Sequence, residues 1–500
     1  MTATVAQEGR FLEDEARSVV AGALAGMMGG LFFGEALAYH GQLPLVAGLV
    51  GADNPWVGFI IHMAVAAVVG ASFGLFVARH QLSCGAGLAW GAAYGLMWWL
   101  LGWLTLLPLL LGQPLWWSAG AARQTFPDLI GHLVYGGVLG AALTMVRPAL
   151  AGTLVWPTRQ RLVGPALKGA LAGFVVEAVF GAGMTALGMT SLIAHLVGAE
   201  PAMAGLWPFE GLGIVVGAGY GLLFGRSEGS AGRALGSGLG YGFVWWVVGP
   251  LTIMPLWLNL GLPWSLAAAH PAFALLVGYM LFGSFTALTY HGLDNLLRAL
   301  FSDGVGLPFV EEGIGTQSLR AIGRGVLGSM AGGLAFTVVM LHVGMLPRIA
   351  GLAGVTSPAV GFIVHMTISS IIGAAYGLLF RRESYSLGAA AGWGVVYGLF
   401  WWALGGLTLF PVFLGGKPQW ELALAGQTFP SLMGHIGYGV VTAMAYYALA
   451  ERHSRWWAGD REATPAERDA WRGEQAATAG PALWALSVVM VIALVVLFGQ

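Results

Sequence analysis

Gly58-Phe59-Ile60-Ile61-His62-Met63 returns as Gly361-Phe362-Ile363-Val364-His365-Met366, and the second copy brings its neighbourhood with it. Gln124-Thr125-Phe126-Pro127, Gly131-His132 and Tyr135-Gly136 reappear at the same 303-residue offset as Gln427-Thr428-Phe429-Pro430, Gly434-His435 and Tyr438-Gly439. The chain therefore contains an internal repeat, and two histidines per copy persist where most other positions have drifted.

The residues around these motifs fix the solvent. With 57% hydrophobic and only 9% charged residues over 500 positions, the chain cannot present a soluble surface. A hydrocarbon core about 30 Å thick needs roughly 20 apolar residues of helix. Runs of that kind lie near 17–40, 56–78, 82–111, 127–146, 165–187, 207–225, 232–258, 271–290, 320–342, 358–380, 386–414, 430–450 and 482–498. They are too long, and too apolar on every side, for barrel strands of about ten alternating residues. The expectation is an all-α integral membrane protein of about 13 transmembrane helices.

Trp98-Trp99, Trp245-Trp246 and Trp401-Trp402, with Thr105/Pro108, Thr252/Pro255 and Thr408/Pro411, divide the chain further. They predict three four-helix repeats at 17–150, 162–300 and 318–450, between a cytoplasmic N-terminus (1–16) and a charged cytoplasmic connector (451–481) that leads to a last transmembrane helix (482–500). An even number of spans per unit makes the repeats parallel rather than inverted. All but Arg123, Arg348 and Lys417 of the 22 Lys and Arg fall on one side of this topology. Retention of cations in the cytoplasm then places the N-terminus inside and the C-terminus outside. Residues 1–16 are acidic and polar, unlike a cleavable leader. The single Cys84 excludes an internal disulfide, and no Cys-x-x-Cys-His is present for covalent haem attachment.

His62 and His132 each sit early in helices that run the same way, so they share one level in the outer leaflet, as do His365 and His435. A helix N-terminus disfavours the imidazolium form and leaves a ring able to act as a ligand. Two imidazoles on alternate helices of a four-helix bundle are a usual way to hold b-type haem without covalent attachment. Phe209 and Leu276 replace the pair in the middle unit, so this reading predicts two haems, or another His-ligated metal centre, in the first and third repeats. Gly102 and Gly405 would give a porphyrin room. Glycine stripes such as Gly22/Gly26/Gly30, Gly70/Gly74, Gly87/Gly91/Gly95 and Gly373/Gly377 suit close helix packing or a flat cofactor lying on bare backbone. His40, His195, His270 and His342 fall toward the same face, which widens the case to copper, zinc or iron.

The carboxylates singled out within spans are Glu177, near mid-membrane, and Glu35 and Glu210, nearer the outer side. Such residues are costly in lipid and mark proton or ion paths by default, unless a protonated side chain simply bonds a neighbouring helix. Three functional classes stay open. One is a membrane subunit carrying electrons within a larger redox complex, with a redox partner on the outer side. Another is an ion, proton or small-solute channel or transporter with the histidines as gates and Glu177 or Glu210 as the cation site. The third is a structural subunit of a membrane complex. No nucleotide loop or hydrolytic motif is present, so a stand-alone enzyme of those kinds is not expected, nor is a nucleic-acid partner; the surrounding lipid is the partner expected in every case.

Each unit reads helix, helix with an early histidine, helix ending in Gly-x-Leu-Thr-x-x-Pro, then Gly-His at the start of a fourth helix. That order resembles the YagU family of bacterial inner-membrane proteins. The positions that carry the resemblance are His62, Gly102 to Pro108 and Gly131-His132-Leu133-Val134, and again His365, Gly406 to Pro411 and Gly434-His435. The resemblance covers single units, which this chain triplicates, and implies a multi-pass protein of the bacterial inner membrane. Because members of the family are largely uncharacterised, it adds architecture rather than chemistry.

Overall fold

The structure, a computed structural model, describes residues 2–186, 206–225, 229–301, 314–457 and 480–498. Among these residues there is no strand, and eleven helices are long and apolar enough to cross a membrane. The protein is a multi-pass, all-helical membrane protein.

In chain order the long helices are counted in fours. The first holds α1 (Thr2–Tyr39), α2 (Pro55–Phe76), α3 (Cys84–Trp98) and α4 (Phe126–Leu150). The middle one holds α5 (Arg159–Ala186), α6 (Leu206–Phe224), α7 (Ala231–Val248) and α8 (Phe273–Phe301). The last holds α9 (Ile314–His342), α10 (Pro358–Phe380), α11 (Leu387–Trp401) and α12 (Phe429–Trp457), and α13 (Gly480–Phe498) follows. Two expected spans are helices outside the eleven. On α6 the apolar stretch Gly211–Phe224 is short, and in α12 Ser431, His435, Thr442 and the tyrosines dilute the hydropathy. At the start of the chain α1 runs back through the polar residues expected to precede it, and its apolar part is Glu13–Tyr39. His195 and most of the expected connector lie outside the described residues.

The chain forms two compact units. One comprises Met1–Arg159, Val247–His270 and Trp471–Gln500, and the other Gln160–Trp246 and Pro271–Ala470. In the first unit α1 packs against α2 and α4, α4 also packs against α3, and α13 lies on α3; in the second, α9 to α12 repeat the same adjacency.

Helix starts are set locally. Asn54 accepts from the Trp56 N–H at 2.8 Å with Pro55 at the first helical position, and Ser83 and Ser386 cap α3 and α11 through the N–H groups of Ala86 and Ala389. Glycine then brings paired helices into backbone contact. A Cβ on Gly22 or Gly26 would strike the carbonyl of Gly70 or Ala66 on α2, and one on Gly87, Gly91 or Gly95 would strike Gly140, Gly136 or His132 on α4. Gly169 and Gly173 meet Gly217 and Gly213 in the same way, Gly325 meets Gly373, and Gly394 and Gly398 meet Gly439 and His435. Neighbouring helices thus fill the stripes, with backbone at most positions and the side chains of Ala66 and Ser329 at Gly30 and Gly373.

Tyrosines cross-tie these pairs at fixed spacing. Tyr94, Tyr241 and Tyr397 donate to the carbonyls of Val69, Val216 and Ile372 at 3.4, 2.7 and 2.6 Å, each 25 residues earlier. Tyr135 and Tyr438 donate to Ala66 and Ser369, both at 2.8 Å and 69 residues earlier. The second tryptophans of the double pairs, Trp99, Trp246 and Trp402, are buried, and Trp99 and Trp246 donate to the carbonyls of Thr125 and Ala272.

Each third helix ends in a widened π turn: Trp99–Leu106, Gly249–Ile253 and Trp402–Leu409. Thr105, Thr252 and Thr408 turn their hydroxyls back to the carbonyls of Leu100, Val247 and Ala403 at 2.7, 2.7 and 2.8 Å, and each hydroxyl accepts the indole N–H of Trp117, Trp264 or Trp420 at 3.0, 3.1 and 2.9 Å. Pro108 and Pro411 have no N–H for the carbonyls four residues back. Those carbonyls, on Leu104 and Leu407, accept instead from Trp116 N–H and Gln419 N–H at 3.1 and 2.7 Å. The Thr-x-x-Pro signal thus marks a helix end whose freed groups are satisfied by its own loop.

If backbone contact at glycine holds the helix pairs, Gly91→Leu will cost at least ~3 kcal/mol or prevent folding, because rigid backbone cannot yield to the added side chain. Gly137→Leu, one residue from Gly136 but with open space where its Cβ would be, will leave the melting temperature nearly unchanged. Thermal unfolding of both variants in detergent checks this.

Candidate functional site

His62 and His132 occupy the second turns of α2 and α4, at the end of the quartet that carries the α1–α2 and α3–α4 loops. Both are 8% exposed. The Nε2–H of His62 donates across to the carbonyl of Gly30 on α1 at 2.9 Å, and the Nδ1–H of His132 donates to the carbonyl of Asp128 on its own helix at 2.7 Å. In the last quartet His365 donates to Gly333 at 2.9 Å and His435 to Ser431 at 2.7 Å. Each bond to a carbonyl fixes the tautomer of its ring.

One phenyl ring serves each pair. Phe33 lies 5.3 Å from the His62 ring and 4.6 Å from the His132 ring, edge-on to both, and Phe336 lies 5.6 and 4.8 Å from His365 and His435. A Cβ on Gly131 or Gly434 would run into these phenyl rings, which explains the conserved pattern within the chain of glycine immediately before histidine. Phe33 and Phe336 escaped the sequence reading, although Gly29-Gly30-Leu31-x-Phe33 and Gly332-Gly333-Leu334-x-Phe336 carry the same 303-residue offset.

Gly102 and Gly405, expected to give a porphyrin room, each lie beside a tryptophan of their own helix. Trp98 and Trp401, one turn back on the same helices, lie where a Cβ on Gly102 or Gly405 would meet them at 3.1 and 3.2 Å. Among the described residues no group of three or more His, Cys, Asp and Glu is placed to hold a metal ion. The Nε2 atoms of His132 and His435 make no hydrogen bond among the described residues, whereas His62 and His365 use Nε2 to tie α2 to α1 and α10 to α9.

The clusters differ around this shared frame. In the first quartet Trp103 packs 5.8 Å from His132, and Gln42 donates to Asp128 Oδ2 at 3.2 Å. The corresponding residues in the last quartet are Gly406, Met345 and Ser431. Asp128 is 1% exposed, and its Oδ1 has no hydrogen-bond partner. Burial of a lone carboxylate costs several kcal/mol, while a neutral donor returns about 1.5–3 kcal/mol and a helix N-terminus about 0.3–1 kcal/mol. Sequence reading missed Asp128; the signal for it is the one acidic residue in Phe126-Pro127-Asp128-Leu129 where the second copy has serine.

The other carboxylates fall apart. Glu35 is on the exposed face of α1, and the side chain of Glu210 lies outside the described residues. Glu177 is half-buried on α5 and packs over Gly213 of α6. Aligned by the double tryptophans, Glu177 takes the position of Gly30 and Gly333, whose carbonyls receive the histidines in the flanking quartets. By the same alignment the place of His132 falls on Tyr279, whose carbonyl meets Gly242 as that of His132 meets Gly95, rather than on Leu276, which is buried in the apolar core.

Comparisons reveal no kin. No family model, no curated protein and no solved structure matches the chain.

His62→Ala removes a buried tie between α1 and α2 and will lower stability by about 1 kcal/mol, within the usual range for one hydrogen bond. His62→Gln, which can still donate to Gly30, will recover part of that loss, and His365→Ala and His365→Gln will behave alike. Melting curves of the four variants decide it; equal stability of His62→Ala and the parent would remove the tie.

Proposed function

We propose that the chain is built as three parallel four-helix repeats and a C-terminal helix, thirteen spans in all, with the N-terminus inside and the C-terminus outside a bacterial inner membrane. We further propose that it moves protons or small cations, with Glu177 in the middle repeat as the ion-binding group. One observation carries this reading. At one position of the first helix, two repeats offer a backbone carbonyl that accepts a histidine, and the middle repeat offers a carboxylate instead. An ionisable side chain kept inside a helix pair has a functional role by default. The histidines then act as ties between helices within the first and third repeats.

A second reading has a specific observation behind it. Imidazoles that ligate metals usually hold one ring nitrogen to a carbonyl and present the other, as His132 and His435 do. A b-type haem, or another His-ligated centre, in the first and third repeats would also need His62 and His365 to release Gly30 and Gly333. The protein would then be a redox-complex subunit.

Reconstitution into vesicles loaded with a pH-sensitive dye, with proton entry driven by a potassium diffusion potential, tests the first reading. Flux is expected from the parent and is expected to fall about tenfold or more in Glu177→Gln; equal flux in both would exclude Glu177 as the site. Oxidised and dithionite-reduced absorption spectra test the second, for which a b-type spectrum halved by His132→Ala is the required result.

A further inference from the structure

The two flanking quartets part company at the end where α1 and α9 begin. Gly325 of α9 meets the Gly373 carbonyl of α10, and Gly377 of α10 meets the Ala321 carbonyl of α9, so the start of α9 lies beside the end of α10. In the first quartet the matching ends carry Glu13, Asp14, Glu15, Arg17 and Arg79, and these pair among themselves: Arg17 with Asp14 at 2.9 Å and Arg79 with Glu15 at 3.5 Å. At the 303-residue offset the carboxylates become Thr316, Gln317 and Ser318. Both arginines persist as Arg320 and Arg382, and Ala21 and Ala78 become Arg324 and Arg381. Among the described residues Arg324, Arg381 and Arg382 are in no ion pair. Arg381 donates to the Ser318 hydroxyl at 3.4 Å, and Arg324 bonds the Tyr446 hydroxyl of α12, with Arg381 also within electrostatic reach of it. Glu383, in place of His80, is buried and already taken: its Oε1 accepts from Ser230 and Arg233 at 2.8 and 2.9 Å.

We propose that this end of the third repeat binds the phosphate of an anionic phospholipid from the adjoining leaflet, with Arg324, Arg381 and Arg382 as the donors. Guanidinium forks match phosphate oxygens, and basic pockets between membrane helices take anionic headgroups. Helical side chains lean toward the helix N-terminus, so Arg324 reaches from within its span toward the headgroup level, where long cationic side chains place their charge. Beneath the arginines the exposed surface is apolar. Ile371 and Leu378 lie eleven and four residues before Arg382, and Leu327 and Leu334 lie seven and fourteen after Arg320, spacings that keep each set on one helix face. Acyl chains fit that surface as the arginines fit the headgroup, and a soluble anion would have no use for it. Retention of cations on one side of a membrane accounts for arginines at this end. It does not account for the loss of all three carboxylates that accompany them in the first quartet. The assignment depends neither on Glu177 nor on the histidines.

Native mass spectrometry of the full chain in detergent, titrated in turn with phosphatidylglycerol, phosphatidylcholine and inorganic phosphate, tests the site. One phosphatidylglycerol is expected to bind more tightly than any further copy and than phosphatidylcholine. Its affinity is expected to fall about fivefold with each arginine replaced, in Arg382→Gln and again in Arg381→Gln/Arg382→Gln. Arg17→Gln/Arg79→Gln in the first repeat will leave it unchanged. Should the arginine variants fail to fold, Gln317→Asp/Ser318→Glu gives a second reading, because it keeps every arginine and adds only carboxylates that the first quartet already carries. Pairing with the arginines will then abolish the preference. Affinity equal to the parent's in either the double arginine variant or the carboxylate variant would overturn the proposal, as would equal binding of the two lipids. Displacement of the lipid by inorganic phosphate would overturn the choice of a lipid over a soluble anion.

Discussion

Backbone touching backbone at glycine is the constraint on which the rest of the molecule depends. In lipid, apolar side chains gain little by leaving one hydrocarbon environment for another, so association must come from close contact and from polar groups that reach across. Gly22, Gly26, Gly70 and Gly74 bring α1 and α2 near enough for His62 to reach the Gly30 carbonyl, and Gly91, Gly95 and Gly136 bring α3 against α4. The tyrosine bonds, which end on main-chain carbonyls of the adjacent helix, work only at this separation. Polar side chains in the interior are therefore fasteners before they are anything else.

On that scaffold the loop ends have diverged. The first and last quartets keep phenylalanine, two histidines and the glycine that makes room for the ring. They differ where the frame does not depend on them, as Trp103, Asp128 and Gln42 become Gly406, Ser431 and Met345. The middle quartet changes the fasteners themselves, with Glu177 in place of a glycine and Tyr279 in place of a histidine. The side chains thus differ while close glycine contacts between paired helices recur in all three quartets.

Helical membrane class was legible from length and hydropathy alone, because apolar runs of this size allow few other solutions. The motif offsets pointed to the right helices, and Thr-x-x-Pro marked a real structural device. Less could be read of how the histidines are used. Their spacing along the chain placed them early in their helices but did not give the direction of each ring, and the difference between a ligand and a tie lies in which nitrogen faces which carbonyl. A sequence also does not show that an indole one turn back lies beside Gly102 and Gly405. Asp128 was invisible for a related reason: a carboxylate in the first turn of a helix looks interfacial until the loop residue Gln42 and its neighbours enclose it.

The threonine at the end of each third helix and the tryptophan that bonds it lie twelve residues apart in all three quartets, whereas the stretches between successive double tryptophans differ in length. An insertion or deletion in a connector costs little if the helix ends stay put. Within the twelve residues it would pull the indole off the hydroxyl and, in the first and last quartets, pull the loop N–H off the carbonyl that proline has orphaned. These loops are consequently rulers: their composition is free to drift, but their length is held as tightly as that of a buried helix.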